Sequence, residues 1–395
     1  MDPLKNPFSP GAGSPPPELA GREDLLGEAR ITLERIAAGK YAQSMMLVGL
    51  RGVGKTVLLN KIREMATETG YSIVMIEATE NRNLPELIIT PLRQVLFKLD
   101  AMADVSEKVK RSLRVFRSFI SGFTVKFKGI EFGLNIDPER GTADSGDLEA
   151  DLPELLIAIG EAAQDRNTAV AIIIDEIQYL KEKEMSALIM AIHLISQRQL
   201  PVVLIGAGLP QLIGLTGHSK SYAERLFRYH NIGPLSESEA INALQTPALS
   251  QGVRFTDEAL RELVRITCGY PYFLQEWGYG VWNAATDSPI TVEDVRNATA
   301  LVIKKLDEGF FRVRFDRLTQ KEKEYLRALA DLGEGPHRSG DVANRLGVKV
   351  QSVAPVRAGL IRKGVIYSPA HGDTAFTVPL FNEFMLRTMP DVIHS

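Results

Sequence analysis

A single cysteine, Cys268, rules out an internal disulfide and any cysteine-rich zinc site. That scarcity suits a reducing compartment, and a cytoplasmic location is expected. No apolar run reaches the roughly 18 residues that a spanning helix needs, so no membrane contact is expected. The opening residues, Met1-Asp2-Pro3-Leu4-Lys5-Asn6, lack a basic stretch followed by an apolar core, which argues against a secretory signal. An excess of one charge is missing as well. With 46 Lys and Arg against 49 Asp and Glu, the net charge is −3. Any nucleic-acid contact must therefore come from a local patch. What is present is an ordinary apolar fraction of 45% in 395 residues, enough for sizeable cores in two or three domains.

The most informative stretch is Gly49-Leu50-Arg51-Gly52-Val53-Gly54-Lys55-Thr56, which fits G-x-x-x-x-G-K-[ST]. Such a loop turns several backbone N–H groups inward around a polyanion, so it needs glycine where a Cβ would block the turn. Gly49, Gly52, Val53, Gly54, Lys55, Thr56 and Val57 are the candidate phosphate contacts. Lys55 would reach the β- and γ-phosphates, and the Thr56 hydroxyl would ligate Mg²⁺. The flanks agree. Ser44-Met45-Met46-Leu47-Val48 is a short apolar run, and Val57, Leu58, Leu59, Ile62 and Met65 recur at helical spacing. Strand, glycine loop and helix is the geometry the motif requires. The plainer alternative is a glycine-rich turn. Arg51 reads as a solvated loop residue.

Residues 1–19 are rich in Pro, Gly and Ser and read as a flexible extended arm. Residues 20–235 alternate helical patterns with short apolar runs at 45–49, 71–77, 170–175, 202–206 and 231–235, which argues a parallel sheet covered on both faces. An insertion at 104–154 interrupts that rhythm. From Lys108 to Gly129 it holds Lys108, Lys110, Arg111, Arg114, Arg117, Lys126 and Lys128 without one acid. Residues 123–136 alternate like a β-hairpin, and an acid-rich stretch follows to Glu154. This is either a solvated surface insertion or a basic hairpin that touches nucleic acid or a neighbouring subunit. Residues 236–315 are helical, with capping patterns at Ser236-x-x-Glu239 and Thr291-x-x-Asp294. Residues 316–390 read helix, helix, helix, hairpin, the pattern of a winged helix-turn-helix.

Ala169-Val-Ala-Ile-Ile-Ile-Asp-Glu176 is an apolar strand ending in two acids. Asp175 stands where a carboxylate can hold the Mg²⁺ bound to Thr56, and Glu176 could orient or deprotonate an attacking water. An ordinary strand ending in two solvated acids is the bland alternative.

With these motifs the chain resembles ATPases of the AAA+/STAND superclass, similar to bacterial and archaeal relatives of the origin-recognition initiators. The resemblance rests on Gly21-Arg22-Glu23, residues 49–56, Asp175-Glu176-Ile177-Gln178, Val203-Leu204-Ile205-Gly206-Ala207-Gly208 and Gly269-Tyr270-Pro271. It implies an α/β P-loop sheet, an all-α lid and a C-terminal winged helix. It also implies ATP or ADP with Mg²⁺, Arg22 and Pro271 near the base, and slow hydrolysis to ADP and phosphate. An arginine reaching a neighbouring copy's γ-phosphate is a family feature; here Arg225 is the first candidate and Arg228 the second, which would require a homo-oligomer. Two departures stand out. Gly206-Ala207-Gly208 lacks the polar sensor residue usual at the fourth strand, and Gly269-x-Pro271 replaces the lid arginine of the initiators. For the C-terminal module, Gln351, Ser352, Arg357, Arg362 and Lys363 are candidate contacts to double-stranded DNA. The rival expectation is a signalling or defence switch whose module docks protein. Residues 319–386 hold only nine basic against seven acidic residues, a weak footprint for nucleic acid.

Overall fold

The computed structural model describes residues 1–11, 13–102, 106–123, 136–220, 223–370 and 372–390. The hairpin expected over 123–136 lies almost wholly outside them. The chain forms two compact units, one of residues 23–48 and 55–231, the other of residues 1–22, 49–54 and 232–395.

The first unit begins with α1 (Glu23–Ala37) and β1 (Ser44–Gly49), followed by α2 (Lys55–Glu68), β2 (Ser72–Glu77), α3 (Leu84–Asp100), α4 (Glu107–Phe123) and α5 (Leu148–Asp165). After these come β3 (Val170–Asp175), α6 (Glu182–Gln197), β4 (Val202–Gly208), α7 (Gln211–Ser219), α8 (Ala223–Leu226) and β5 (Phe227–Ile232). The sheet order is β2-β3-β4-β1-β5. The pairs β2–β3, β3–β4 and β1–β4 are parallel. Strands β1, β3 and β4 are buried along their whole length. Unbroken apolar runs such as Val-Ala-Ile-Ile-Ile are what a sheet with helices on both faces demands. Because the strands run the same way, the loop after β1 and the acids at the end of β3 emerge at one edge of the sheet. Register then aligns Glu77 with Asp175 and Ile174 with Gly206.

The expected strand at 231–235 is instead β5 at Phe227–Ile232, four residues earlier. Phe227 and Ile232 are buried there, whereas Leu235 leaves the sheet and its N–H donates to the Gly269 carbonyl at 2.9 Å. Arg228 therefore lies within the strand and not before it.

The basic insertion carries its own counter-charges. The apolar face of α4 (Val109, Leu113, Phe116, Phe119, Ile120) is buried in the core of this unit. On its polar side Arg111 pairs with Glu139 at 2.9 Å and Glu161 at 3.1 Å, and Arg114 with Glu139 at 3.6 Å. These pairs support the surface-insertion reading for the described part.

The second unit holds α9 (Glu237–Ser250), α10 (Asp257–Thr267), α11 (Pro271–Ala284), α12 (Val292–Leu306) and α13 (Arg312–Phe315). Both capping boxes read from the sequence form, at Ser236/Glu239 and Thr291/Asp294. Beyond them stand α14 (Gln320–Asp331), β6 (His337–Arg338), α15 (Ser339–Arg345), α16 (Val350–Arg362), β7 (Ile366–Tyr367), β8 (Asp373–Phe376) and α17 (Phe381–Thr388). The three strands form an antiparallel sheet in the order β6-β8-β7. A π-helical turn at Asp307–Phe311 links α12 to α13. It lets two successive phenylalanines face apolar partners. Phe310 stacks on Tyr272 with centroids 4.6 Å apart, and Phe311 meets Phe381 and Phe384 at 5.8 and 5.3 Å.

The arm expected to be flexible is docked in this second unit. Phe8 is 2% exposed and meets Phe255 and Trp282 edge-on. Asn6 donates to the Tyr279 carbonyl and to Asn283, and the Trp282 indole donates to the Asp2 carbonyl. A Cβ at Gly278 would lie 2.7 Å from the Phe8 ring, so glycine opens the slot. Low complexity hid one anchoring aromatic. Replacing it, Phe8→Ala, is expected to cost about 3–5 kcal/mol of unfolding free energy, the usual loss for a buried phenylalanine. Chemical denaturation checks this, with limited trypsin digestion after Lys5. A denaturation midpoint and cleavage rate equal to the parent's would contradict the docked arm.

Candidate functional site

The loop after β1 is built as its sequence demands. Gly52 and Gly54 have φ of 82° and 93°, in the left-handed region that side chains resist. A Cβ at Gly49 would come 2.2 Å from the Ile232 carbonyl oxygen, so that position is set by close backbone approach. Val53 is buried, and Lys55 and Thr56 open α2, with Val57 following in its first turn. The positive end of that helix thus faces the loop, as an anion site requires.

Asp175 ends β3 and is 6% exposed. One carboxylate oxygen accepts from the Thr56 hydroxyl at 2.6 Å, and the other from the Glu176 N–H at 2.8 Å. Burial pushes the Asp175 carboxyl above its ordinary value, and those two hydrogen bonds work against the rise. Glu176 has φ of 50°, unusual for a residue with a side chain. Its carboxylate accepts from the Gln178 amide.

The fit to Mg²⁺ rests on the donors. Thr56 and Asp175 bring two hard oxygens together, one from a buried carboxylate that burial alone disfavours as an anion. Mg²⁺ takes few protein ligands and completes its shell with phosphate oxygens and water. Two such oxygens beside a phosphate loop suit it. Among the described residues no cluster of three or more His, Cys, Asp or Glu offers a metal a site.

The remaining candidates separate. Arg22 donates to the Gly233 carbonyl at 2.6 Å, and Pro271 is the first residue of α11. Arg228 is paired with Glu28 at 2.8 Å, while Arg225 is exposed, its carbonyl accepting from Gln43. Gln351, Ser352 and Arg362 are exposed on or near α16. Arg357 is turned inward, donating to Thr374, Ser368 and the Asp373 carbonyl. Lys363 bonds Glu322 at 2.7 Å and the Arg317 carbonyl at 3.2 Å.

Arg51, expected to be solvated, is half-buried and bonded. Its N–H donates to the Thr377 carbonyl at 3.2 Å and its Nε to the Gly364 carbonyl at 3.3 Å. The Tyr272 N–H donates to the Gly52 carbonyl at 3.1 Å. Residues 49–54 are thereby tied to α11 and to the C-terminal strands. No local pattern marks this, since the partners lie more than two hundred residues away.

Residues 18–205 match the family model described as an AAA ATPase domain, and residues 308–385 match a family described as a domain of unknown function. No curated protein matches the chain by sequence. A Walker-type ATPase of Pyrococcus abyssi superposes with a TM-score of 0.57 at 16% identity, covering 93% of this chain and 96% of that one. Cdc6p of Pyrobaculum aerophilum gives 0.47 at 15% identity over 99% and 98%. The RuvB Holliday junction branch migration motor of Thermotoga maritima gives 0.43 at 16% identity over 95% and 96%. The first of these is alike in fold; the other two superpose too loosely to support more. Residues 18–205, which include most of the five-stranded sheet, are thus similar to an AAA ATPase domain.

A buried acid whose folded-state pKa is raised costs stability above that pKa, and the cost fades as pH falls to the unfolded value. Asp175→Asn removes the charge and keeps the shape. It is expected to raise the melting temperature of the nucleotide-free protein at pH 7 by a few degrees, at about 2–4 °C per kcal/mol. The gain should vanish near pH 4, the ordinary carboxylate range. Thermal melts at both pH values check this, and a variant that melts lower at pH 7 would contradict it.

Proposed function

We propose that ATP binding and Mg²⁺-dependent hydrolysis at residues 49–56 and 175–176 set the state of the C-terminal module, residues 316–390. Lys55 and the backbone of residues 52–56 bind the β- and γ-phosphates. Thr56 and Asp175 hold Mg²⁺, which neutralises charge on the phosphates when bound. Glu176 orients the attacking water and takes its proton. Phosphoryl transfer needs mainly positioning and charge stabilisation, which such a set provides. Arg22 and Pro271 lie toward the base. Arg228 is engaged by Glu28, so Arg225 is the arginine we assign to a neighbouring copy's γ-phosphate, in a homo-oligomer.

The observation that carries the switch is Arg51. It lies inside the phosphate loop and is bonded to the Gly364 and Thr377 carbonyls of the module. A loop that closes around phosphate must either keep or release those bonds, and the module's freedom follows.

We read the module as a winged helix, with α14, α15 and α16 as its three helices and β7–β8 as the wing. Two ligands remain in contention. For DNA, Gln351, Ser352 and Arg362 are accessible. For protein, the supporting observation is that Arg357 and Lys363 serve the module's own structure. The exposed side of α16 then offers Val350, Gln351, Ala354, Pro355 and Ala358, with Arg362 its one exposed cation. That surface favours docking on a protein.

Lys55→Ala should abolish nucleotide binding. Glu176→Gln should bind ATP yet hydrolyse it about 10²–10⁴-fold more slowly, the range for losing a general base. Steady-state phosphate release and a nucleotide-binding titration check both. Hydrolysis by Glu176→Gln at the parental rate would remove Glu176 from its role. A gel shift with duplex DNA across salt concentrations separates the two ligands. Affinity that falls linearly with log salt and weakens in Arg362→Ala supports DNA. No shift even at low salt leaves the protein-docking reading.

A further inference from the structure

The end of β4 is unusual for what it lacks. Gly206-Ala207-Gly208 offers no polar side chain beside Glu176. We infer that Gln178 fills this place as the positioning residue for Glu176, its carboxamide bridging the end of β4 to the Glu176 carboxylate.

Gln178 sits in the 3-10 turn Ile177–Tyr179 that follows β3 and is 9% exposed. Its carbonyl oxygen accepts from the Leu209 N–H at 3.1 Å, just past β4. Its NH₂ donates to Glu176 Oε2. The polarity of this relay is forced. A backbone N–H can only donate, so the amide oxygen must face Leu209 and the NH₂ must face the carboxylate. Leu209 therefore orients Gln178, and Gln178 fixes the rotation of the Glu176 carboxylate. The Glu176 backbone is held separately, through its N–H to Asp175.

The glycines explain themselves in this arrangement. A Cβ on Gly208 would stand 2.6 Å from Gln178 Oε1, and one on Gly206 would stand 2.6 Å from Met46 Sδ and 3.0 Å from Ile177. At Gly208 the turn carrying Gln178 leaves room only for glycine, and at Gly206 Met46 of β1 and Ile177 together do the same.

The inference rests on Glu176 acting on the attacking water, and the experiment separates the two. Steady-state hydrolysis and nucleotide affinity are measured on the full chain for Gln178→Ala, Gln178→Glu, Gly208→Ala and the Gln178→Ala/Gly208→Ala double variant. Glu176→Gln is the control. Gln178→Glu keeps the shape but replaces the donor with an acceptor. Misorientation should lower kcat about tenfold to a hundredfold in both Gln178 variants, with KM and nucleotide Kd within about twofold of the parent. Gly208→Ala should fall likewise, because its Cβ displaces the carboxamide. The double variant should be no slower than Gln178→Ala alone, since the carboxamide is the one neighbour closer than 3.0 Å to that Cβ, with Ile177 and Leu212 at 3.2 and 3.3 Å. A kcat within about twofold of the parent in Gln178→Ala and Gln178→Glu would overturn the assignment, as would losses that multiply in the double variant. If Glu176→Gln turns over like the parent, the base assignment fails first, and that is read from this control alone.

Discussion

The hydrogen bond from Thr56 to the buried Asp175 carboxylate, 2.6 Å long, is the contact on which the site depends. It joins the first turn of α2 to the end of β3, two elements brought to one edge by the parallel sheet. Asp175 is costly to bury, since desolvation opposes its charge. The protein keeps it by spending both oxygens, one on Thr56 and one on the Glu176 N–H. The second of these bonds accompanies a left-handed Glu176 and the sharp turn after it. Strain of that kind persists only where surrounding packing over-determines it. Here the packing is Ile177, fully buried against the glycines of β4. A carboxylate that burial makes unfavourable in the folded chain becomes favourable beside a cation.

Much of this was legible in the sequence, because the elements concerned are local and periodic. The run at 170–175 forms a strand with those bounds. The glycine loop lies between a buried strand and a helix, and the capping boxes at Ser236 and Thr291 form. These depend on neighbours within a few residues, and such neighbours are written next to each other. Gln178 was visible as part of the Asp175-Glu176-Ile177-Gln178 run, yet nothing local said that its amide would reach Leu209, thirty-one residues on.

What escaped reading is what distance decides. The fifth strand was placed four residues late because Leu235 looks apolar enough to end a strand, whereas its N–H belongs to Gly269. The arm looked flexible because proline, glycine and serine surround Phe8, and one ring in a slot made by Gly278 is enough to seat it. Charge too is decided by distance. Arg111 and Arg114 stand in a run without acids, but Glu139 and Glu161 meet them in space. Arg357 and Lys363 look like DNA contacts along α16, but Thr374 and Glu322 have engaged them. A cation in a sequence is an offer; only the fold shows whether a neighbour has taken it.

Arg51 shows a further case, a loop cation engaged by a carbonyl more than three hundred residues away. In a phosphate loop the backbone N–H groups converge on the ligand, so loop side chains are free to face elsewhere. The Arg51 side chain reaches the Gly364 carbonyl, just before β7, while its backbone N–H donates to the Thr377 carbonyl, just after β8. Thr377 is in turn fixed by its hydroxyl to the carbonyls of Gly364 and Val365. The loop is therefore bonded to a rigid corner of the module and not to a mobile side chain. On the proposed reading, movement of the loop would be passed to the module, because packed cores shift between arrangements and do not stretch. Coupling of this kind needs no fast turnover. It would need a loop whose conformation differs between nucleotide states and a latch stiff enough to register the difference; on the proposed reading residues 49–54 are that loop and the Arg51 bonds that latch.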